Sequence, residues 1–167
     1  VETALRLVPA GIVQRVADLG SGSGAIALSL ARERPLWEVH ATELSAPALQ
    51  VAQENARRNG VAQVQFHLGS WTEPLQGKFD LIVSNPPYVA ENAAHLLLGD
   101  CRFEPRMALT PGGDGLGAFR QIANDSRSLL NTGGWLLFEH GWDQGPAVRA
   151  ILQAAGYEDI STLRDLA

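Results

Sequence analysis

Four consecutive residues, Asn85-Pro86-Pro87-Tyr88, form the segment of this sequence best suited to chemistry. The two prolines donate no backbone hydrogen bonds and hold the chain extended, which leaves the Pro86 carbonyl available as an acceptor. The Asn85 side-chain oxygen can supply a second acceptor, and Tyr88 offers a flat face to a planar group. Two acceptors that hold both N–H bonds of an amide or exocyclic amine would orient its nitrogen for attack. The segment therefore indicates chemistry at a planar nitrogen.

A planar nitrogen is a poor nucleophile because its lone pair is delocalised. Acceptors that hold and polarise the group favour build-up of the lone pair, and their dipoles stabilise positive charge that arrives with a methyl group from a sulfonium. The proton can leave after the methyl group arrives, so a strong general base is not required. The tetrapeptide could serve a protein amide or the exocyclic amine of a nucleic-acid base, and a structural turn is the alternative for Pro86-Pro87 alone.

A glycine-rich turn at residues 18–24, DLGSGSG, follows a predicted strand and precedes a predicted helix. Glycine lets the backbone turn sharply and lets a ligand approach atoms that a Cβ would block. Glu43 ends the next predicted strand, where a carboxylate can accept hydrogen bonds from both hydroxyls of a ribose. These features predict a nucleoside bound at the carboxyl edge of a parallel sheet.

The spacing of the glycines separates two kinds of nucleoside cofactor. The pattern G-x-G-x-G, with Asp18 ahead of the first glycine, differs from the dinucleotide pattern G-x-G-x-x-G. S-adenosylmethionine has an α-amino group and no phosphate, and Asp18 could help to hold that cation directly or through water. The spacing favours a methyltransferase over a dehydrogenase, with a plain structural turn as the remaining alternative. Ser70-Trp71 follows the third predicted strand, where adenine would lie, although Trp71 could equally be a core aromatic.

Short apolar runs alternate with longer helical stretches, which is the pattern of β-α units in a mainly parallel sheet. Residues 79–84 form a mostly apolar run, as expected for a central strand buried on both faces. Ser45 is expected to cap the helix that follows it. We predict further strands at residues 16–19, 38–42, 62–68 and 135–139, the start of a last strand at 157–161, and helices at 25–33, 46–59, 116–130 and 144–155.

The composition of the chain limits its partners and its location. The 167 residues are 46% hydrophobic and 19% charged, as expected for one globular domain with a core. The formal charge of -5 has the wrong sign for a domain that grips nucleic acid unaided. We expect no membrane span and no secretory signal, and hence a cytoplasmic location. Cys101 is the single cysteine, and neither it nor His40, His67 and His95 shows metal-ligand spacing, so we expect no disulfide and no metal.

The sequence closely resembles the HemK/PrmC family of protein-(glutamine-N5) methyltransferases, which modify the glutamine of the Gly-Gly-Gln motif in class I peptide-chain release factors. The tetrapeptide is shared with adenine-N6 DNA methyltransferases, so it specifies the nitrogen chemistry better than the substrate. The downstream Phe-Glu-Pro and Gly-Gly-Asp-Gly-Leu runs point to this family. Matching stretches cover nearly the whole chain and include ADLGSGSGAIALSLA at 17–31, residues 55–60, FDLIVSNPPYV at 79–89, FEP at 103–105, ALTPGGDGL at 108–116 and LFEHGWDQ at 137–144.

This resemblance implies a class I S-adenosylmethionine-dependent methyltransferase fold over residues 1–167, a Rossmann-like α/β sheet flanked by helices in which the C-terminal edge strand can be missing. We expect the family's N-terminal helical substrate-recognition domain to be absent from these residues. The resemblance implies S-adenosylmethionine as methyl donor, S-adenosylhomocysteine as product, and class I release factors as partners. The alternatives are methylation of adenine or guanine in nucleic acid, which is not expected for this domain alone, and a catalytically silent cofactor-binding domain.

The resemblance and the spacing together give two sets of candidate site residues. Ser70 departs from the family, whose members commonly carry an acidic residue there, and Glu104 could line the substrate pocket or cap a turn. Asn85, Pro86 and Tyr88 are the expected catalytic residues. The cofactor set is Asp18, Gly20, Ser21, Gly22, Gly24, Glu43, Leu44, Ser70, Trp71 and Asn85, and the substrate set is Asn85, Pro86, Pro87, Tyr88 and Glu104.

Overall fold

The computed structural model describes residues 1–89 and 113–164. Its strands are β1 Arg15–Leu19, β2 Glu38–Glu43, β3 Val64–Leu68, β4 Phe79–Ser84 and β5 Leu130–Phe138. Its helices are α1 Glu2–Leu7, α2 Ala25–Glu33, α3 Ala46–Arg58, α4 Gly117–Arg127 and α5 Gly145–Ala154. The five strands pair in parallel in the order β3-β2-β1-β4-β5. The predicted fold class, a parallel α/β sheet flanked by helices, is confirmed.

The middle strands β1 and β4 are mostly apolar because both of their faces are covered. Val16, Leu19, Leu81 and Ile82 are all completely buried. Helices α1 and α2 contribute to the same core cluster as β1, β2 and β4. The sheet is therefore a rigid base whose carboxyl edge can hold loops in fixed positions.

Helix α3 begins and ends as its sequence predicts. The Ser45 hydroxyl accepts a hydrogen bond from Ala48 N at 3.4 Å, and a proline occupies the first turn. Gly60 follows the helix with a φ of +67°, a left-handed conformation that glycine adopts without strain. The helix thus starts a short distance after Glu43, the last residue of β2.

Two predicted boundaries near β5 are wrong. The predicted helix 116–130 ends at Arg127, and β5 begins at Leu130 instead of residue 135. Leu130 pairs with Phe79, and the register then shifts, so that the next pair joins Leu81 to Trp135. The intervening glycine-rich residues, which predict a helix end and a loop, form an irregularity within the strand. The start of β5 is determined by pairing with β4, which the local propensities of residues 130–134 do not indicate.

The predicted start of a strand at residues 157–161 is also wrong. Gly156 and Asp159 have φ values of +81° and +53°, which an extended strand does not accommodate. The Tyr157 backbone N–H donates to Leu152 O, and its hydroxyl donates to Ala123 O at 3.0 Å. This segment therefore closes the end of α5.

Two compact units make up the chain. The first comprises Val1–Asn85 and Asp125–Phe138 and contains the whole sheet. The second comprises Pro86–Asn124 and Glu139–Ala167 and contains α5. One domain over residues 1–167 stays a prediction.

Candidate active site

The carboxyl ends of β1, β2 and β4 bring three candidate residues to one edge of the sheet. Leu19, the last residue of β1, pairs with Thr42 on one side and Ser84 on the other. The chain builds β2 and β3 outward on one side of β1 and then returns to place β4 on the other. At such a reversal the outgoing loops separate and leave a crevice for a ligand. Gly20, Glu43 and Asn85 each begin or border a loop at this edge.

The glycine-rich loop is held tightly to the end of β2. Gly20 N and Ser21 N both donate to Thr42 O at 2.9 Å, and Gly24 N donates to Ser21 O at 2.8 Å. Gly20, Gly22 and Gly24 have φ values of +72°, +55° and +83°. These left-handed conformations strain any residue with a Cβ, which explains why glycine alternates along the loop.

Glu43 braces this loop, a role that sequence reasoning missed. One carboxylate oxygen accepts from Gly22 N at 2.8 Å, and the other accepts from Ser45 N at 2.9 Å. Each oxygen retains a further lone pair, so the carboxylate can still accept from the two hydroxyls of a ribose. The signal that could have predicted this brace is an acidic residue at the end of β2 together with a glycine-rich loop whose N–H groups need acceptors.

The internal hydrogen bonds of the loop also bear on the type of cofactor. The backbone N–H groups of Gly20, Ser21, Gly22 and Gly24 all donate to acceptors within the protein. A pyrophosphate is normally held by such N–H groups directed at its oxygens. The arrangement therefore fits a cofactor without phosphate better than a dinucleotide.

Asp18 is buried at the base of the loop and lacks part of its hydrogen bonding. Its Oδ2 accepts from Ala27 N at 3.0 Å, whereas its buried Oδ1 has no partner within the described residues. Burial raises the pKa of Asp18 to about 7; the bond from Ala27 opposes this shift and the negative charge of Glu43 adds to it. The Ser21 hydroxyl is likewise buried without a partner there. Two unsatisfied polar atoms at one loop fit a cationic, hydrogen-bonding ligand such as an α-amino group.

Trp71, one of the two residues expected near adenine, lies beside the glycine loop. Trp71 is half-buried, and a Cβ added to Gly20 would approach its Cζ3 at 2.9 Å. Trp71 adopts a φ of +43°, which is strained for a non-glycine residue. Residues with such strained backbones cluster at functional sites. Leu44, next to Glu43, is 60% exposed, and Ser70 O accepts from Glu73 N. The adenine contacts of Ser70 and Trp71 stay a prediction.

Asn85 is fixed at this edge by the residue before it. The Ser84 hydroxyl is buried and donates to Leu19 O at 2.8 Å, which ties the ends of β4 and β1 together. Asn85 is exposed and comes directly after this bond. Asn85 therefore follows β4 beside the point where Gly20 follows β1.

The rest of the tetrapeptide belongs to the second unit. Pro86 is buried, whereas Pro87 and Tyr88 are half-buried. The carbonyl of Tyr88 accepts a hydrogen bond from Gln144 Nε2 at 2.8 Å. Gln144 was not among the predicted site residues, although it ends the last of the stretches that resemble the family. Glu104 lies outside the described residues.

The described ranges contain no group of three or more His, Cys, Asp or Glu side chains that could hold a metal ion. Within those same ranges, every helix is too short or too polar to cross a membrane.

Comparison with known proteins identifies the family. The family model described as "Methyltransferase small domain" matches residues 3–138. This chain belongs to that methyltransferase family. The match includes β1 to β5, so it covers the glycine loop and the tetrapeptide.

Two relatives carry a more specific name. The release factor glutamine methyltransferase of Xylella fastidiosa strain Temecula1 is 53% identical over 167 residues, which are 99% of this chain and 61% of that protein. The enzyme of the same name from Bordetella pertussis is 53% identical over 169 residues, or 100% of this chain and 62% of that protein. The chain thus spans about three fifths of the length of these relatives.

A solved structure supports the fold. The ribosomal protein L11 methylase of Lactobacillus delbrueckii subsp. bulgaricus superposes with a TM-score of 0.70 and 23% identity, over 98% of this chain and 69% of that one. The chain has a class I methyltransferase fold.

Proposed function

We propose that this chain transfers the methyl group of S-adenosylmethionine to the side-chain amide nitrogen, N5, of the glutamine in the Gly-Gly-Gln motif of class I release factors. The observation that carries the proposal is the start of Asn85-Pro86-Pro87-Tyr88 directly after the buried strand β4, beside the loop of Gly20. The specific name and high identity of the two relatives support the choice of substrate. A cytoplasmic location follows from the proposed substrate, because translation terminates there.

The residues of the first unit are suited to hold the cofactor. Asp18 can neutralise its α-amino group, and Glu43 can accept from its ribose hydroxyls. Trp71 and Leu44 supply apolar surface at the same loops. When bound, S-adenosylmethionine presents an electrophilic methyl group on a positively charged sulfur and leaves as neutral S-adenosylhomocysteine.

The tetrapeptide is suited to hold the acceptor. Asn85 Oδ1 and Pro86 O are two acceptors on adjacent residues, which matches the two N–H bonds of a primary amide. By holding both bonds they orient the nitrogen lone pair and stabilise the positive charge that it gains. In the transfer that these acceptors would serve, the sulfur–methyl bond would break as the nitrogen–methyl bond forms, and the nitrogen would then release one proton to solvent. This chain's formal charge of -5 argues against nucleic acid as the substrate.

The test is transfer of labelled methyl groups by the full-length protein to a release factor, to the same factor with the motif glutamine changed to alanine, and to an oligonucleotide. We expect label only in the unmodified factor. Label in the oligonucleotide alone would show that the amine of a base is the substrate.

Replacing Asn85 tests the acceptor role directly. In Asn85→Ala, kcat should fall by about a hundredfold, since one of two orienting hydrogen bonds is lost, while the Kd for S-adenosylmethionine changes by about twofold or less. Asn124→Ala, an exposed position on α4, is the matched control and should behave as wild type. An equal loss of cofactor affinity would assign Asn85 to cofactor binding instead.

A further inference from the structure

The side chain of Gln144 connects the tetrapeptide to the loop that follows β5. Its Nε2 donates to Tyr88 O at 2.8 Å, and its Oε1 accepts from Gly141 N at 3.0 Å. The orientation of this amide is fixed by its partners, because a backbone N–H can only donate and a carbonyl can only accept. Gln144 therefore uses both ends of its amide at once.

The base from which Gln144 reaches Tyr88 is itself rigid. Gln144 N donates to Gly141 O at 3.0 Å, and Gln144 O accepts the first hydrogen bond of α5, from Val148 N. A Cβ on Gly141 would lie 3.1 Å from Gln144 Oε1, so the turn leaves little space beside the amide. The side chain is half-buried, which limits competition from water.

The tetrapeptide needs such an external support because of its composition. Pro86 and Pro87 have no backbone N–H, and β4 has already ended at Ser84, so no parallel ladder orients these carbonyls. A carbonyl acceptor aligns a substrate only if its peptide plane is fixed. Fixing the carbonyl of Tyr88 limits rotation of the neighbouring peptide planes, including the one that presents Pro86 O.

We propose that Gln144 is a positioning residue: by donating to Tyr88 O it fixes the Pro86-Pro87-Tyr88 backbone in the orientation that receives the acceptor amide. It acts on transfer and not on cofactor binding. This rests on the proposed function for the acceptor, but the hold of Gln144 on the Tyr88 segment can be measured without any substrate.

Gln144→Glu is the informative change, because a carboxylate keeps an acceptor for Gly141 N–H but cannot donate to Tyr88 O. In the full-length protein kcat should fall by about tenfold or more at pH 8, with the Kd for S-adenosylmethionine within about twofold of wild type. Below about pH 5 the protonated side chain can donate again, so activity relative to wild type should recover. Gln153→Glu, an exposed position on α5 with the same change in charge, is the control and should match wild type.

A second readout is independent of the substrate. The sequence contains two tyrosines, Tyr88 and Tyr157, whose fluorine resonances after fluorotyrosine labelling are assigned with Tyr88→Phe and Tyr157→Phe. Gln144→Glu should shift or broaden the Tyr88 resonance and leave that of Tyr157 in place. An unchanged Tyr88 resonance, or transfer equal to that of Gln153→Glu, would overturn the proposal. Failure of wild type to methylate glutamine would refute the proposed function alone, since the fluorine spectrum still decides the role of Gln144.

Discussion

At the scale of single residues, Asp18 combines burial with an incomplete set of hydrogen bonds. An acid that is harder to ionise when folded makes the free protein less stable as the pH rises, because the unfolded chain releases its proton first. A cation at Oδ1 reverses this by favouring the ionised form. Under the proposed function, binding of the cofactor's α-amino group at Asp18 is therefore expected to release a proton near neutral pH.

Asp18→Asn isolates this effect. The pKa of Asp18 is about 7 in the folded protein and 3.8 in the unfolded chain. The stability that its protonated carboxyl group contributes below pH 4 is therefore lost progressively as the pH rises to 7. Between about pH 4.5 and pH 8, the free energy of unfolding of wild type without cofactor should fall by about 3 kcal/mol more than that of Asp18→Asn. Urea titrations at both pH values measure this. Parallel pH profiles would mean that Asp18 titrates as an ordinary carboxyl group.

Gly20 is a second position at which adding a single methyl group is expected to change cofactor binding. A methyl group at Gly20 would be strained by the φ of +72° and would also lie 2.9 Å from the indole of Trp71. A methyl group at Gly22 would be strained by its positive φ but would have no atom within 4 Å. Gly20→Ala should therefore weaken binding of S-adenosylmethionine more than Gly22→Ala, by about tenfold. Calorimetric titration measures both, and a Trp71→Phe change in the Gly20→Ala background should restore part of the loss. Equal losses of affinity in Gly20→Ala and Gly22→Ala would show that backbone strain alone, without contact with Trp71, weakens cofactor binding.

At the scale of elements, the junction of β1 and β4 determines where the loops begin. Ser84 sits on β4 opposite Leu19, and its hydroxyl satisfies the Leu19 carbonyl inside the protein. Both outgoing loops start one residue later. The bond therefore ties the start of the glycine-rich loop to the start of the segment that begins with Asn85.

Removing that bond should lower stability. Ser84→Ala leaves a buried carbonyl without its hydroxyl partner, and we expect the free energy of unfolding to fall by about 1–2 kcal/mol. Ser128→Ala, which removes an exposed hydroxyl bond to Asp125 O, should cost less than about 0.5 kcal/mol. Chemical denaturation compares the two. Equal effects would mean that the Ser84 bond contributes nothing beyond a surface contact.

The same scale shows why some elements are predictable. Phe79–Ser84 and Ala25–Glu33 match their predicted bounds, because a mostly apolar run and a glycine-to-helix transition are local signals. The start of β5 has no local signal, since Leu130 joins the strand only by pairing with Phe79. The predicted strand at 157–161 failed because Gly156 and Asp159 take positive φ values.

At the scale of the whole molecule, the residues proposed to hold the cofactor all lie in the first compact unit, and Pro86 begins the second. The division falls inside the tetrapeptide, so that the proposed acceptor Asn85 belongs to the first unit and the proposed acceptor Pro86 to the second. Changes that affect Pro86, Pro87 or Tyr88 are therefore expected to lower transfer and to leave cofactor affinity nearly unchanged.

The sequence by itself determined the fold class, the glycine loop after β1 and the tetrapeptide after β4, because these follow from local periodicity and spacing. Tertiary structure alone decided three things: the brace from Glu43 to Gly22, the environment of Asp18, and the bond between Gln144 and Tyr88, 56 residues apart. Each depends on which distant segments the parallel topology brings together. Residue spacing along the chain does not encode those distances.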